Sequence, residues 1–87
     1  MKKFTVYVLR DELGKHYKGL TNNLLRRLSE HRNGKTQTTS RMSNLVVVYT
    51  EEYDNFITAR RRELYLKSAA GRKFLKNKLD KSKYLPM

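Results

Sequence analysis

The segment Phe4–Leu20, "FTVYVLRDELGKHYKGL", constrains the fold more than any other part of this chain. "FTVYVLR" (4–10) is built from β-branched and aromatic residues and predicts a strand. "DELGK" (11–15) carries turn chemistry, with Gly14 free to take positive φ. "HYKGL" (16–20) then predicts a second strand, antiparallel to the first. A hairpin alone is marginal in water, so the rest of the chain must cover it.

The chain has 87 residues and no cysteine, so neither a disulfide framework nor a thiolate zinc site can supply stability. The core must come from the 38% of hydrophobic residues, among them six tyrosines and three phenylalanines. That suffices for one domain of packed layers, placed at 1–80, with 81–87 a tail of little apolar content. Thr21 is the expected N-cap of a first helix, with Leu20 and Leu25 as a hydrophobic staple. Leu24, Leu25 and Leu28 form its expected buried stripe, and Gly34 its end. "KTQTTSRMSN" (35–44) reads as a polar loop. "LVVVYTEEY" (45–53) begins as a continuous apolar run, which predicts a strand covered on both faces at the sheet centre. Asn55 suits the N-cap of a long helix to about Ser68, Gly71 is the expected break, and a last helix carries Phe74, Leu75 and Leu79. The fold class is α/β, in the order β-β-α-β-α-α, with a three-stranded antiparallel central sheet flanked by helices.

Twenty Lys and Arg against eight Asp and Glu give a formal net charge of +12 and a pI near 10.2. Such an excess opposes compaction and suits a polyanionic partner, above all nucleic acid. Apolar runs such as "LVVVY" (45–49) fall far short of the roughly 20 residues that span a bilayer. The N-terminal apolar run ends at Arg10, Asp11 and Glu12 without a small-residue cleavage site, so it reads as a strand and not a signal peptide. No membrane association and a cytoplasmic location are expected.

Several residues stand out chemically. Phe56, Ala59, Glu63, Leu66 and Ala70 recur at helical spacing as one stripe, and its middle member is a carboxylate. A buried acid is costly unless it is paired or holds a metal. A salt bridge from Glu63 to Arg60 or Lys67 on the same helix accounts for it as well as a metal does. Arg27 and His31 lie four apart on one helix face, where solvated basic residues are ordinary, and Tyr7 and Tyr17 suit strand packing. Each feature by itself is compatible with a small basic nucleic-acid binder.

Taken in order, "TVYVL", "YKG", "RRLSEH" and "RRRELYLKS" resemble the GIY-YIG nuclease family, particularly its small single-domain bacterial members. The resemblance runs from about Phe4 to Leu79. It places the name-giving motifs at Thr5-Val6-Tyr7 and Tyr17-Lys18-Gly19, with Thr5 and Lys18 departing from the usual pattern. It implies a catalytic set of Tyr7, Tyr17, Arg27, His31 and Glu63, with Glu63 the ligand of one Mg2+ or Mn2+ ion. The implied activity is divalent-metal-dependent endonucleolytic cleavage of DNA to 5′-phosphate and 3′-hydroxyl ends, without a small-molecule cofactor.

Arg27 suits the phosphate because its planar fork donates two parallel hydrogen bonds. A free tyrosine titrates at about 10, so Tyr7 works as a base only if neighbouring Arg and metal charge lower its pKa. His31, with an ordinary pKa of about 6.5, is the alternative base or a proton relay that assists Tyr7, and Tyr17 is a hydrogen-bonding partner of phosphate or water. Arg26, Lys35, Thr39, Arg41 and Arg60 are candidate contacts to flanking phosphates, which bring affinity without sequence reading. Little sequence specificity and a monomer or weak dimer are expected. The competing reading is a non-catalytic DNA- or RNA-binding module on the same fold.

Overall fold

The hairpin forms as its pattern predicts. In the computed structural model, which describes residues 3–34 and 41–79, strand β1 (Phe4–Arg10) pairs antiparallel with β2 (His16–Thr21). The register sets Tyr7 opposite Gly19 and Leu9 opposite Tyr17. Asp11 holds the turn, its Oδ1 accepting from the Leu13 and Lys15 N–H groups at 3.0 and 2.8 Å.

The third strand, β3 (Val46–Tyr53), pairs with the other side of β1, so the sheet order is β2-β1-β3. This corrects the expectation that residues 45–53 occupy the centre. β1 is central, and Thr5, Val6, Tyr7, Val8 and Leu9 are all buried. Both segments carry an apolar run, but β3 continues into Thr50, Glu51 and Glu52, which an edge strand accommodates more readily.

β1 feeds two cores because successive side chains alternate faces. On one face Val6 and Val8 pack with Ala59, Leu66 and Leu75. On the other, Tyr7 and Leu9 pack with Leu28 and Leu45. Each fully buried aliphatic side chain contributes about 1.5–3 kcal/mol.

Helix α1 (Leu24–Arg32) starts later than its sequence suggests. Asn23 is the N-cap, its side chain accepting from Arg26 N–H at 3.1 Å. Thr21 instead ends β2 opposite Thr5, and its hydroxyl accepts from Asn23 N–H at 3.1 Å. The shifted start turns the buried face to Leu24, Leu28 and His31, and leaves Leu25 82% exposed, outside both staple and stripe. Gly34 does close the helix, with φ +71° and its N–H on the His31 carbonyl at 3.1 Å.

Asn55 caps α2 (Phe56–Lys67) by accepting from Thr58 N–H at 3.1 Å. The break before α3 (Ala69–Leu79) falls at Ser68, in extended conformation, and not at Gly71. Gly71 lies buried inside α3, where a Cβ would overlap the Tyr65 carbonyl oxygen and Leu66 Cα. Its missing side chain lets α3 fold back tightly on α2. The proposed acid-centred stripe is accordingly shorter: Ala59, Glu63 and Leu66 are buried, while Phe56 is exposed and Ala70 belongs to α3. Among the described residues, no helix is long and apolar enough to cross a membrane.

A polar clamp fixes α2 to β3. Arg62 donates from Nε and Nη2 to the Glu51 carboxylate at 2.9 and 3.0 Å. The Tyr49 and Tyr53 hydroxyls donate to the same carboxylate, and the Arg62 guanidinium covers the Tyr65 and Phe74 rings at 4.9 and 4.8 Å. Burial works to raise the Glu51 pKa, but the bonds from Arg62, Tyr49 and Tyr53 outweigh it and hold it below 4.5. A lowered native carboxylate pKa contributes stability that is complete above the unfolded value and lost as pH falls through the folded one. Glu51→Gln is therefore expected to lower the melting temperature at neutral pH and to flatten its decline in acid below about pH 4.5. Parallel wild-type and variant melting curves across that range would overturn the assignment.

Candidate active site

Tyr7 reaches the α1 side of the sheet by crossing over Gly19. Gly19 is buried, and a Cβ there would overlap the ring carbons and hydroxyl of Tyr7. The glycine of "YKG" is thus the floor on which the Tyr7 ring lies. The ring delivers its hydroxyl to His31 Nε2 at 2.8 Å. Both residues are nearly sealed, Tyr7 1% and His31 2% exposed.

Tyr17 and Arg27 complete the cluster at its solvent side. The half-buried Tyr17 ring stands edge-on to His31 at 4.9 Å and is tilted to Tyr7 at 6.2 Å. Arg27 lies one turn before His31 on α1, as the four-residue spacing predicts. Its Nη1 donates to Glu30 Oε1 at 3.0 Å. Its guanidinium also interacts with the Tyr7 and Tyr17 phenols, and Glu30 foremost, then Tyr7, raises the Arg27 pKa. Glu30 was not singled out from the sequence. The i,i+3 spacing from Arg27 in "RRLSE" is the signal that marks it.

Burial and the neighbouring Arg27 charge act on Tyr7 in opposite directions. Burial pushes the Tyr7 pKa up to about 12, and the neighbouring Arg27 offsets this only in part, while Tyr17 and Glu63 push it further up. Desolvation of a buried phenolate outweighs the adjacent cation. Burial first, and the Arg27 charge second, lower the His31 pKa, with Glu30 opposing. At neutral pH the 2.8 Å bond therefore joins a neutral phenol to a neutral imidazole. With the imidazole proton on Nδ1, the Tyr7 O–H donates to Nε2.

Glu63 comes from α2, the helix that packs on the opposite face of the sheet. It is 6% exposed. Oε1 accepts from Arg60 Nη1 at 2.6 Å and Oε2 from Lys67 Nζ at 3.1 Å. The salt-bridge account of this acid is thus realised with both partners at once. Its charge still reaches the Tyr7 phenol.

The donor set limits what metal could bind. Among the described residues, no three His, Asp or Glu side chains converge on one point. A zinc-type cage of protein ligands is excluded there. A single carboxylate does fit a magnesium-like ion, which retains waters and shares substrate phosphate oxygens. Arg60 and Lys67, the partners of the two Glu63 oxygens, are about half exposed, at 49% and 47%.

The candidate phosphate contacts divide. Arg26 is exposed on α1 and lines a cavity of about 410 Å³ together with Arg27, Glu30 and Phe56. Arg41 is exposed, and Arg60 is engaged by Glu63. Lys35 and Thr39 lie outside the described residues.

A family model of the GIY-YIG catalytic domain matches residues 3–80. A relative from Autographa californica nuclear polyhedrosis virus, named as a UPF0213 protein in the VLF1-GP41 intergenic region, is 40% identical over 87 residues, covering 97% of this chain and 82% of its own. The solution NMR structure of a UPF0213 protein from Bacillus halodurans superposes with a TM-score of 0.55 at 27% identity, covering 86% of this chain and 83% of that one.

Proposed function

Because this chain belongs to the GIY-YIG catalytic-domain family, we propose that it is a divalent-metal-dependent endonuclease that cleaves DNA to 5′-phosphate and 3′-hydroxyl ends with little sequence specificity. Members of this family are typically nucleases. The observation that carries the proposal is the buried hydrogen bond between Tyr7 Oη and His31 Nε2, with Arg27 beside it. A phenol with a pKa of about 12 is not ionised at neutral pH. It takes a proton from water only by passing its own proton on. A neutral imidazole nitrogen at 2.8 Å is placed to receive it.

In this mechanism the water oxygen attacks phosphorus as its proton moves to Tyr7 and the Tyr7 proton moves to His31. The phosphorus bond to the 3′ oxygen breaks, and that oxygen is protonated from solvent. The Arg27 fork donates to the non-bridging phosphoryl oxygens, where charge accumulates. Tyr17 donates its hydroxyl to the phosphate or the water. Glu63 would hold a divalent cation, Mg2+ or Mn2+, which would supply charge neutralisation at the leaving oxygen. The surrounding cations meet phosphates and not base edges, which is the basis for weak sequence preference.

The test incubates labelled single-stranded, duplex and branched DNA with the protein in magnesium, manganese or chelator. Cleavage is expected with metal and not with chelator. Arg27→Lys is expected to lose about 100-fold or more, since an ammonium cannot reproduce the bidentate fork. The rate is also expected to fall in acid as His31, whose pKa lies below 6.5, becomes protonated and can no longer accept. Full cleavage in chelator would overturn the metal assignment, and an acid-insensitive rate the role of His31. Binding of every substrate with no cutting would favour the non-catalytic module, a reading that the doubly paired Glu63 also suits.

A further inference from the structure

A second basic site lies on the far side of the edge strand. Arg10, His16 and Lys18 from the hairpin converge with Arg72 and Lys76 from α3 around a cavity of about 430 Å³, underlain by Leu75 and Leu79. Its lining among the described residues includes no carboxylate. It faces away from the Tyr7 cluster: Val8 is opposite Lys18 and packs in the core that contains Leu75, whereas Tyr7 and Tyr17 pack toward Leu28. We propose that this cavity is a second phosphate-binding subsite, which holds the backbone of the substrate strand a few nucleotides from the scissile phosphate. The inference rests on the nuclease reading for its substrate.

Three observations support it. First, the basic groups crowd one another, with Asp11 alone opposing at His16. Lys18 has its pKa lowered by burial and then by Arg72 and Lys67, and His16 by burial and then by Lys18 and Arg10. Gathering like charges around a concave, partly apolar surface costs folding free energy, which an anionic ligand would offset. Second, Arg72 is already positioned, its Nη1 donating to the Lys67 carbonyl at 2.8 Å. A preset guanidinium loses less conformational entropy on meeting phosphate. Third, the cavity adjoins the Glu63 side of the candidate active site. Lys18 interacts with Lys67, and Lys67 holds Glu63.

Glu63 lies on the cavity's own side of the sheet, but the path on to Tyr7, Tyr17 and Arg27 turns around the edge of β2, because Tyr17 and Lys18 are neighbours pointing to opposite faces. A nucleic-acid strand occupying both must bend within a few nucleotides. A duplex, with a persistence length of about 150 bp, resists such a bend, whereas an unpaired strand does not.

The experiment measures binding of a fluorescent oligothymidylate and of a duplex of equal length, in chelator, across a salt series. For single strands the slope of log affinity against log salt changes by about 0.7 for each phosphate contact. Arg72→Ala/Lys76→Ala is therefore expected to lower the single-strand slope by about 1.4 and to weaken binding, with the duplex slope unchanged. Lys78→Ala, on the same helix but outside the cavity, is expected to match wild type. A single-strand slope unchanged in the double variant would overturn the subsite. An equal loss on the duplex would overturn the bent path. Because binding is read without metal, a protein that uses the cavity yet never cuts would refute the nuclease reading alone. One that cuts but shows no change in slope would refute only the subsite.

Discussion

Glu63→Gln is expected to reduce metal-dependent cleavage by about 10²–10⁴-fold while leaving nucleic-acid binding intact or tighter. The loss follows from removing the carboxylate proposed to hold the divalent ion, whose charge stabilisation contributes several kcal/mol, at tenfold per about 1.4 kcal/mol. The gain in binding follows from the ion pairs. Glu63 occupies Arg60 at 2.6 Å and Lys67 at 3.1 Å, and glutamine keeps the shape of the side chain but releases two cations toward phosphate. Stability should change little, because both partners are about half exposed and such pairs are screened. Cleavage and binding must be measured on the same preparation. Undiminished cleavage would remove Glu63 from the mechanism. Joint loss of cleavage, binding and melting temperature would make it a structural residue.

Gly19→Ala is the second large effect, and it acts without touching any reacting group. The added methyl would occupy the space of the Tyr7 ring and hydroxyl, and Tyr7 is 1% exposed with little room to retreat. Overpacking of this kind costs about 1–3 kcal/mol. Catalysis should suffer more, by about 100-fold, because a displacement of about 1 Å at Tyr7 breaks its alignment with His31. Gly71→Ala is the control. Its methyl would collide with the Tyr65 carbonyl at the α2–α3 junction, so it should destabilise the fold while the folded fraction keeps its specific rate. Equal specific rates for Gly19→Ala and wild type would show that the position of the Tyr7 ring is not critical.

Much of this architecture was legible in the sequence because it depends on neighbours along the chain. The hairpin followed from two β-rich segments around a turn, and the start of α2 from Asn55, since capping and turn chemistry act over a few residues. The pairing of Arg27 with His31 on one helix face followed from their spacing. The sequence motifs also put Tyr7 and Tyr17 on adjacent strands, where the structure sets their rings 6.2 Å apart. Thr21 misled because a hydroxyl residue suits a strand end as well as an N-cap, and only pairing with Thr5 decides. Gly71 misled because a helix-weakening residue is also the one that permits close helix packing.

What the chain order alone determined is the element sequence, the basic character and the residues from which a site can be built. Tertiary structure decided three further matters: that β1 and not β3 is central, that Glu63 is held by two cations, and that Tyr7 is protonated beside a neutral His31. The reason is physical. Propensity, periodicity and capping are set by residues within a turn or two, whereas the core position of a strand and the dielectric around a phenol depend on groups brought together from distant parts of the chain.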